Sequence, residues 1–356
     1  MNPGSASLCP VRLEPIFSPR PWGARSLAPL FPDKSNLAEP LGEAWMTGVE
    51  CRFASGSFAG QKLGDVWPTL PTAWTGKKVI GSDGSFPLLV KFIFADEKLS
   101  VQVHPDDDCA ARYERAAGGR GKTEMWYAIH ARPGAEVLVG LKPGVTPGIF
   151  KRAIENGSAE DCLQHVPVSD GEAIFVPAGT AHTIGAGLVF CEIQEYSDLT
   201  YRVFDYNRRD AQGRSRELHI EKALQVMRFG EQRGGKIVPV RITRNGVTET
   251  YFIACRYFAA EKWEFAESMS AETSPEHFDL LIFLEGRGAI QWGGESVEYA
   301  PAQTWLLPAA LGAYHLAPRE RTAVLRAYVP ASLDEFARKL AAQGVSEAAL
   351  SRVVYP

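Results

Sequence analysis

The chain has 356 residues, 45% of them hydrophobic and 22% charged, which suits a globular protein long enough to hold two or three packed units. Its net charge of −4 argues against the basic face that a general nucleic-acid binder needs. No apolar run reaches membrane-spanning length, and MNPGSASLCP lacks the charged-then-apolar plan of an export signal, so a cytoplasmic protein without membrane contact is expected.

Residues 1 to 100 are short apolar runs divided by Pro and Gly, ending in a strong strand pair, PLLVKFIFA and KLSVQVH. In the second of these, side-chain alternation puts Gln102 and His104 on one face and Val101 and Val103 on the other. Pro105, followed by Asp106, Asp107 and Asp108, stops the strand, and Asp107 to Ala117 has helical composition ending at Gly118-Gly119. After a strand over Glu124 to Ile129, the stretch from Pro143 to Gln164 predicts two helices, around GIFKRAIENG and SAEDCLQHV. Such an insertion either caps a pocket or buttresses a sheet.

Gly171 then opens a tight turn, Ala173 to Val176 form a short strand, and Pro177 with Gly179 turns the chain so that His182 swings back. LHIEKALQVMRFG predicts a connecting helix, and residues 236 to 330 again read as many short strands. ASLDEFARKLAAQGVSEAALSRV closes the chain with one or two helices.

Four of these residues form a candidate metal-ligand set: Gln102, His104, Glu124 and His182. Two neutral imidazoles, one carboxylate and one amide oxygen suit a borderline divalent ion such as zinc, with room for substrate oxygens. The spacing Gly171, Pro177, Gly179, His182 is that of the second signature of the cupin β-barrel. The six cysteines are scattered without a Cys-x-x-Cys pair, which argues against a zinc–cysteine site and reads as buried or incidental thiols.

The combination QVHPDD, GKTEMWY, GEAIFVPAGTAHTIGAG and EYSDLTYRVFDYNR resembles type I mannose-6-phosphate isomerase in its shorter bacterial form. Gln-x-His in place of the common cupin His-x-His is itself a mark of that family. Pro21 to Gly23 and Glu43 to Trp45 also resemble family positions, although Ala24 stands where the family often has a second glycine. The implied fold is mainly β: two cupin jelly-roll β-barrels with inserted and terminal α-helices. Residues 1–230 would form a metal-binding unit with its helical insertion at about 143–165, and 231–356 a degenerate copy. In that copy Ala302 takes the place of Gly171 and Pro308 that of Pro177, while Ala313 falls where His182 should be, so this half reads as structural and without metal.

The resemblance implies isomerisation of mannose 6-phosphate and fructose 6-phosphate through an enediolate, with one zinc ion per chain and a sugar phosphate as the partner; the sequence does not give the oligomeric state, for which a monomer is the expectation. Lys122, two residues before Glu124, projects toward the same face and is placed to meet substrate. Arg202 falls at the family's catalytic arginine, with Asp198 and Asp205 near enough in sequence to orient it. The run Arg208, Arg209, Arg214 and Arg216 reads as a solvated loop. The sequence does not say which group carries the proton. Two other classes share the barrel: a cupin dioxygenase, which normally uses iron and more histidines, and a non-catalytic sugar-binding cupin, which could lose Lys122 or Arg202.

Overall fold

The structure, a computed structural model, describes residues 7–77, 84–115, 118–209, 212–231 and 233–356. Leu88–Ala95 and Leu188–Glu195 are almost wholly buried; the first reads as a nearly unbroken apolar run, while the second also buries Glu192, Gln194 and Glu195. They pair antiparallel without a slip, from Leu188 opposite Ala95 to Glu195 opposite Leu88.

Around this pair lies a seven-stranded sheet among the described residues. Its order is Gly235–Lys236, Ala173–Val176, Glu124–Ala131, Leu188–Glu195, Leu88–Ala95, Leu41–Trp45 and Ile16–Ala24. The accompanying layer has five strands, in the order Tyr201–Phe204, Val101–Val103, His182–Ile184, Glu136–Leu141 and Leu163–Pro167. The two strong strands expected as a pair near residue 100 therefore belong to different layers, because the link 96–100 carries the chain from one sheet to the other.

A second unit repeats this plan. Its larger sheet begins Val11–Leu13, Thr304–Leu307, Asp279–Glu285, Thr322–Tyr328, Ala259–Phe265, Val247–Cys255 and Val240–Arg244, with Val354–Tyr355 added beside Val247–Cys255. Its smaller sheet runs Met269–Glu272, Ala313–Pro318, Gly288–Trp292 and Glu295–Tyr299. The chain is thus mainly β, two jelly rolls with inserted and terminal helices, each built from open sheets rather than a closed barrel. Edge strands are exchanged: Val11–Leu13 pairs with the later unit and Gly235–Lys236 with the earlier one.

One core cluster joins the large sheets. It combines Phe92, Met125 and Ile193 of the first with Leu280, Ile282 and Leu325 of the second. The opposite face of the first large sheet supplies Trp126, Ile174 and Phe190 to the interior of its own jelly roll. Val101 and Val103 face outward from the small sheet and share a third cluster with Phe150, Ile154 and Ala223, from the helices Pro147–Glu155 and Ile220–Val226. The insertion therefore buttresses the sheet.

Several local expectations change. Only the first helix of the insertion is long; Ala159–Cys162 is a single tight turn, and Leu163–Pro167 is drawn into a strand beside Glu136–Leu141. The helix after His104 covers Asp107–Tyr113, its start capped by the Asp106 carboxylate, which accepts from Cys109 N at 2.9 Å. Ala116 and Ala117, its expected end, lie outside the described residues. Ala24 needs no unusual backbone, since it closes a strand and pairs with Leu41. Ala302 keeps the left-handed backbone of Gly171, with φ of 59° against 80°. Tyr314, rather than Ala313, takes the inward place of His182: Tyr314 is buried and opposite Ala271, whereas Ala313 is exposed.

Ile193→Ala removes a fully buried side chain at the seam between the jelly rolls. It should cost about 2–5 kcal/mol, read as a lower urea midpoint.

Candidate metal centre and substrate pocket

A transverse row across the small sheet builds one side of the site. Gln102 is opposite His182 on one neighbouring strand and opposite Arg202 on the other. Glu124, the first residue of its strand in the large sheet, supplies the facing carboxylate. His104 lies just beyond the short strand Val101–Val103, and its backbone carbonyl accepts from Gly179 N at 2.8 Å. Gly179 has φ of 83°, and a Cβ there would stand 2.6 Å from Arg228 Cγ and 3.0 Å from Val226 O, so the signature turn closes only with glycine.

His104, Glu124 and His182 are buried, with ligand atoms that all lie within 4.8 Å of one another. Each imidazole donates from Nδ1 to a backbone carbonyl at 2.8 Å, His104 to Leu199 and His182 to Thr180. That fixes the tautomer and leaves both Nε2 lone pairs facing inward. Glu124 Oε1 lies 3.3 Å from His182 Nε2 and 3.6 Å from His104 Nε2, and it is buried with no hydrogen-bond donor among the described residues. Three lone-pair donors converging on one point suit a cation at their centre. The Gln102 amide nitrogen is 3.3 Å from His182 Nε2, so the residue expected as fourth ligand stands beside the three, with its nitrogen and not its oxygen toward His182.

The protonation states agree with this donor set. Burial, opposed by Glu124, pushes His182 down to about 3. Burial and then Lys122 also lower His104. Burial alone would raise the Glu124 carboxyl, but Lys122 and His104 hold it well below the usual carboxylate range.

Lys122 precedes the strand that begins at Glu124, yet its ammonium points into the same space. It lies 2.6 Å from Glu124 Oε2 and 3.3 Å from His104 Nε2. Glu124 Oε2 is thus held as an ion pair, off the direction of a regular hydrogen bond. Lys122 and Arg202 both line one pocket of about 570 Å³. Arg202 donates to Ser100 Oγ at 3.3 Å and to the Glu217 carbonyl at 3.2 Å. Neither expected aspartate takes that role: Asp198 accepts from Lys91 at 2.8 Å, and Asp205 is gripped by Arg216, whose Nε lies 2.7 Å away. Arg216 lines the pocket and Arg208 is half-buried, so only Arg209 and Arg214 fit the solvated-loop reading.

Sequence reasoning missed the charged wall of this pocket. Glu192 is buried, accepts from Trp126 Nε1 at 3.0 Å, and lies 3.8 Å from both Lys91 and Lys122. Burial, opposed by Lys122, raises it to about 7. The signal was present: Lys91 is the one charge in LLVKFIFA, and Glu192 follows the apolar LVFC of its strand; charges so placed are rarely buried unless paired or used.

A jelly-roll interior with a His–Glu–His centre and a cationic pocket defines a metal-type cupin site. Residues 11–129 match the family model of the phosphomannose isomerase type I catalytic domain, and 248–326 that of the mannose-6-phosphate isomerase cupin domain. The chain is 33% identical over 318 residues to the mannose-6-phosphate isomerase ManA of Bacillus subtilis (strain 168), covering 86% of this chain and 95% of that protein. It is 32% identical over 305 residues to the mannose-6-phosphate isomerase of Streptococcus mutans, covering 84% and 92%. The crystal structure of the mannose 6-phosphate isomerase from Bacillus subtilis superposes with a TM-score of 0.81 at 29% identity, over 89% of this chain and 99% of that one. The chain belongs to the type I mannose-6-phosphate isomerase family.

Glu195 backs the Lys122–Glu124 segment by accepting from Thr123 N, and burial, aided by Asp107, lifts its pKa from 4.5 to about 8. Between those values the folded chain keeps a proton that the unfolded chain has released, so this group's contribution weakens stability as pH rises through the window. Urea titrations from pH 5 to 8.5 should show a flatter decline for Glu195→Gln than for the parent.

Proposed function

We propose that this protein interconverts mannose 6-phosphate and fructose 6-phosphate, an aldose–ketose isomerisation. The observation that carries the reading is the convergence of His104, Glu124 and His182 next to Gln102 and Lys122, both of which line the pocket that Arg202 also lines. The relatives that cover most of the chain bear the same activity in their names. We assign these four residues to one zinc ion per chain, which when bound would act as a Lewis acid toward the substrate's carbonyl and hydroxyl oxygens.

The remaining work falls to side chains. Lys122 and Arg202 place two positive charges where negative charge develops as the proton moves between C1 and C2 of the sugar, and so favour the enediolate. Among the pocket carboxyls, Glu43 and Asp198 are held ionised by their cationic neighbours against the effect of burial, whereas Glu192, at about 7, can take and return a proton near neutral pH. Arg20, Arg216 and His219 add basic groups to the pocket lining and suit a phosphate.

The proposal extends to the division of the chain, with 1–230 carrying the chemistry and 231–356 supporting it. It also takes the enzyme to act as a monomer on mannose metabolites in the cytoplasm. No helix among the described residues is long and apolar enough to cross a membrane.

A coupled assay on mannose 6-phosphate should show turnover that a chelator abolishes and added zinc restores, with about one zinc ion bound per chain. Stoichiometric iron with oxygen consumption would instead establish a dioxygenase. Arg202→Ala should lower kcat on the order of 100-fold with metal content unchanged; an unaltered rate would remove Arg202 from the chemistry.

A further inference from the structure

The second jelly roll carries a pocket of about 540 Å³, close in size to the first. Strand register shows that the two pockets occupy the same place in the fold. Pro177 and Pro308 anchor the comparison, because each directly follows the residue paired with the first acid of its strand: Val176 with Glu124, Leu307 with Asp279. From there Glu192 corresponds to Arg326, since Trp126 and Lys91 flank the one as Leu281 and Glu261 flank the other. Glu43 corresponds to Glu249, being paired with Ile93 as Glu249 is with Trp263. Even the basic residue two positions before the acid is kept: Lys122 lies 2.6 Å from Glu124, and His277 lies 3.3 Å from Asp279.

The chemistry of the copy differs. Tyr314, Ala271 and Thr273 stand where the first pocket has His182, Gln102 and His104, so the metal donors are replaced. The positive charge of Arg326 is taken up within the wall by Glu261 at 2.8 Å and Asp279 at 2.9 Å. At the pocket lining, Glu249, Glu272 and Glu335 outnumber Lys339. A phosphate dianion would meet net negative charge there.

Two lining groups nevertheless require an acceptor. Trp263 is 5% exposed and Arg326 6%; Trp263 Nε1 and Arg326 Nε are buried just behind the lining and have no hydrogen-bond partner among the described residues, as is also true of Glu261 Oε2 and Asp279 Oδ2 in the same wall, so a ligand oxygen reaches the two donors only with a small shift of the lining. Trp263, Phe336 and Met269 add apolar surface. We propose that this pocket binds an uncharged hexose. Hydroxyl oxygens would accept from Trp263 Nε1 and Arg326 Nε, hydroxyl protons would go to Glu249 and its neighbouring carboxylates, and the C–H face of the ring would lie against the aromatic wall. The duplicated pockets then divide the ligands by charge, phosphorylated sugar in the first and unphosphorylated sugar in the second. The choice of a hexose over another polyol rests on the isomerase reading; the need for a neutral, oxygen-rich ligand does not.

Calorimetric titration of the full-length, metal-loaded protein with mannose and with fructose tests this without using activity. At least one should bind with a Kd on the order of millimolar. Trp263→Phe, which keeps an aromatic ring but loses the donor, should weaken binding about five-fold, with isomerase rates unchanged. Glu249→Gln, at a partly exposed position, should weaken it similarly and decides the matter if Trp263→Phe does not fold. Arg202→Ala should bind the neutral sugar as the parent does. The proposal is overturned if neither sugar gives saturable heat up to about 100 mM. It also fails if binding is lost in Arg202→Ala but kept in the two pocket variants, or if the amine-bearing glucosamine binds and the neutral sugars do not.

Discussion

The buried carboxylate of Glu124 is the constraint around which the first jelly roll is organised. It is fully shielded from water, where an uncompensated charge is prohibitively costly. Lys122 therefore lies against one oxygen, while the Nε2 lone pairs of His104 and His182 surround the other. Each of those imidazoles is tied through Nδ1 to a backbone carbonyl, so ring orientation belongs to the fold and not to the ligand. This arrangement offers a cation one position, beside a pocket that Lys122 and Arg202 line.

A second shell of charge follows from the first. Lys122 shares its ammonium between Glu124 and Glu192, and Glu192 stands equally close to Lys91, which is in turn neutralised by Asp198. Charges of alternating sign thus continue from Glu124 through the buried Lys122, Glu192 and Lys91 to the exposed Asp198. Because each member offsets the desolvation of its neighbours, removing one leaves a buried charge uncompensated. The second jelly roll applies the same solution with signs exchanged: acid gives way to Arg326 at the Glu192 position and base to Glu261 at the Lys91 position, while Asp279 keeps the sign of Glu124. One backbone frame tolerates either pattern, because what it demands is pairing and not a particular sign.

Much of this was legible in the amino-acid order. Period-two alternation around Gln102 and His104, the Gly–Pro–Gly–His spacing ending at His182, and Pro308 at the place of Pro177 announce two related jelly rolls and a donor set in the first. The short helices and turns were less legible, because a segment such as Leu163–Pro167 has no strong preference of its own and becomes a strand only beside Glu136–Leu141. Pairing between charges far apart in sequence was not legible at all. Asp198 and Asp205 look like natural companions of Arg202 by proximity, yet strand direction sends one to Lys91 and the other to Arg216.

By itself, the sequence determined the periodicities, the glycines and prolines at the turns, and the chemical identity of the donors, since these depend on local backbone geometry and side-chain type. Only the tertiary structure decided which faces meet: that the two large sheets share one core, that Tyr314 and not Ala313 points inward, and that Glu192 and Lys91 are buried side by side. Those outcomes rest on register and layer packing over tens to hundreds of residues, where a one-residue slip moves a side chain to the opposite face and local sequence carries no record of the partner.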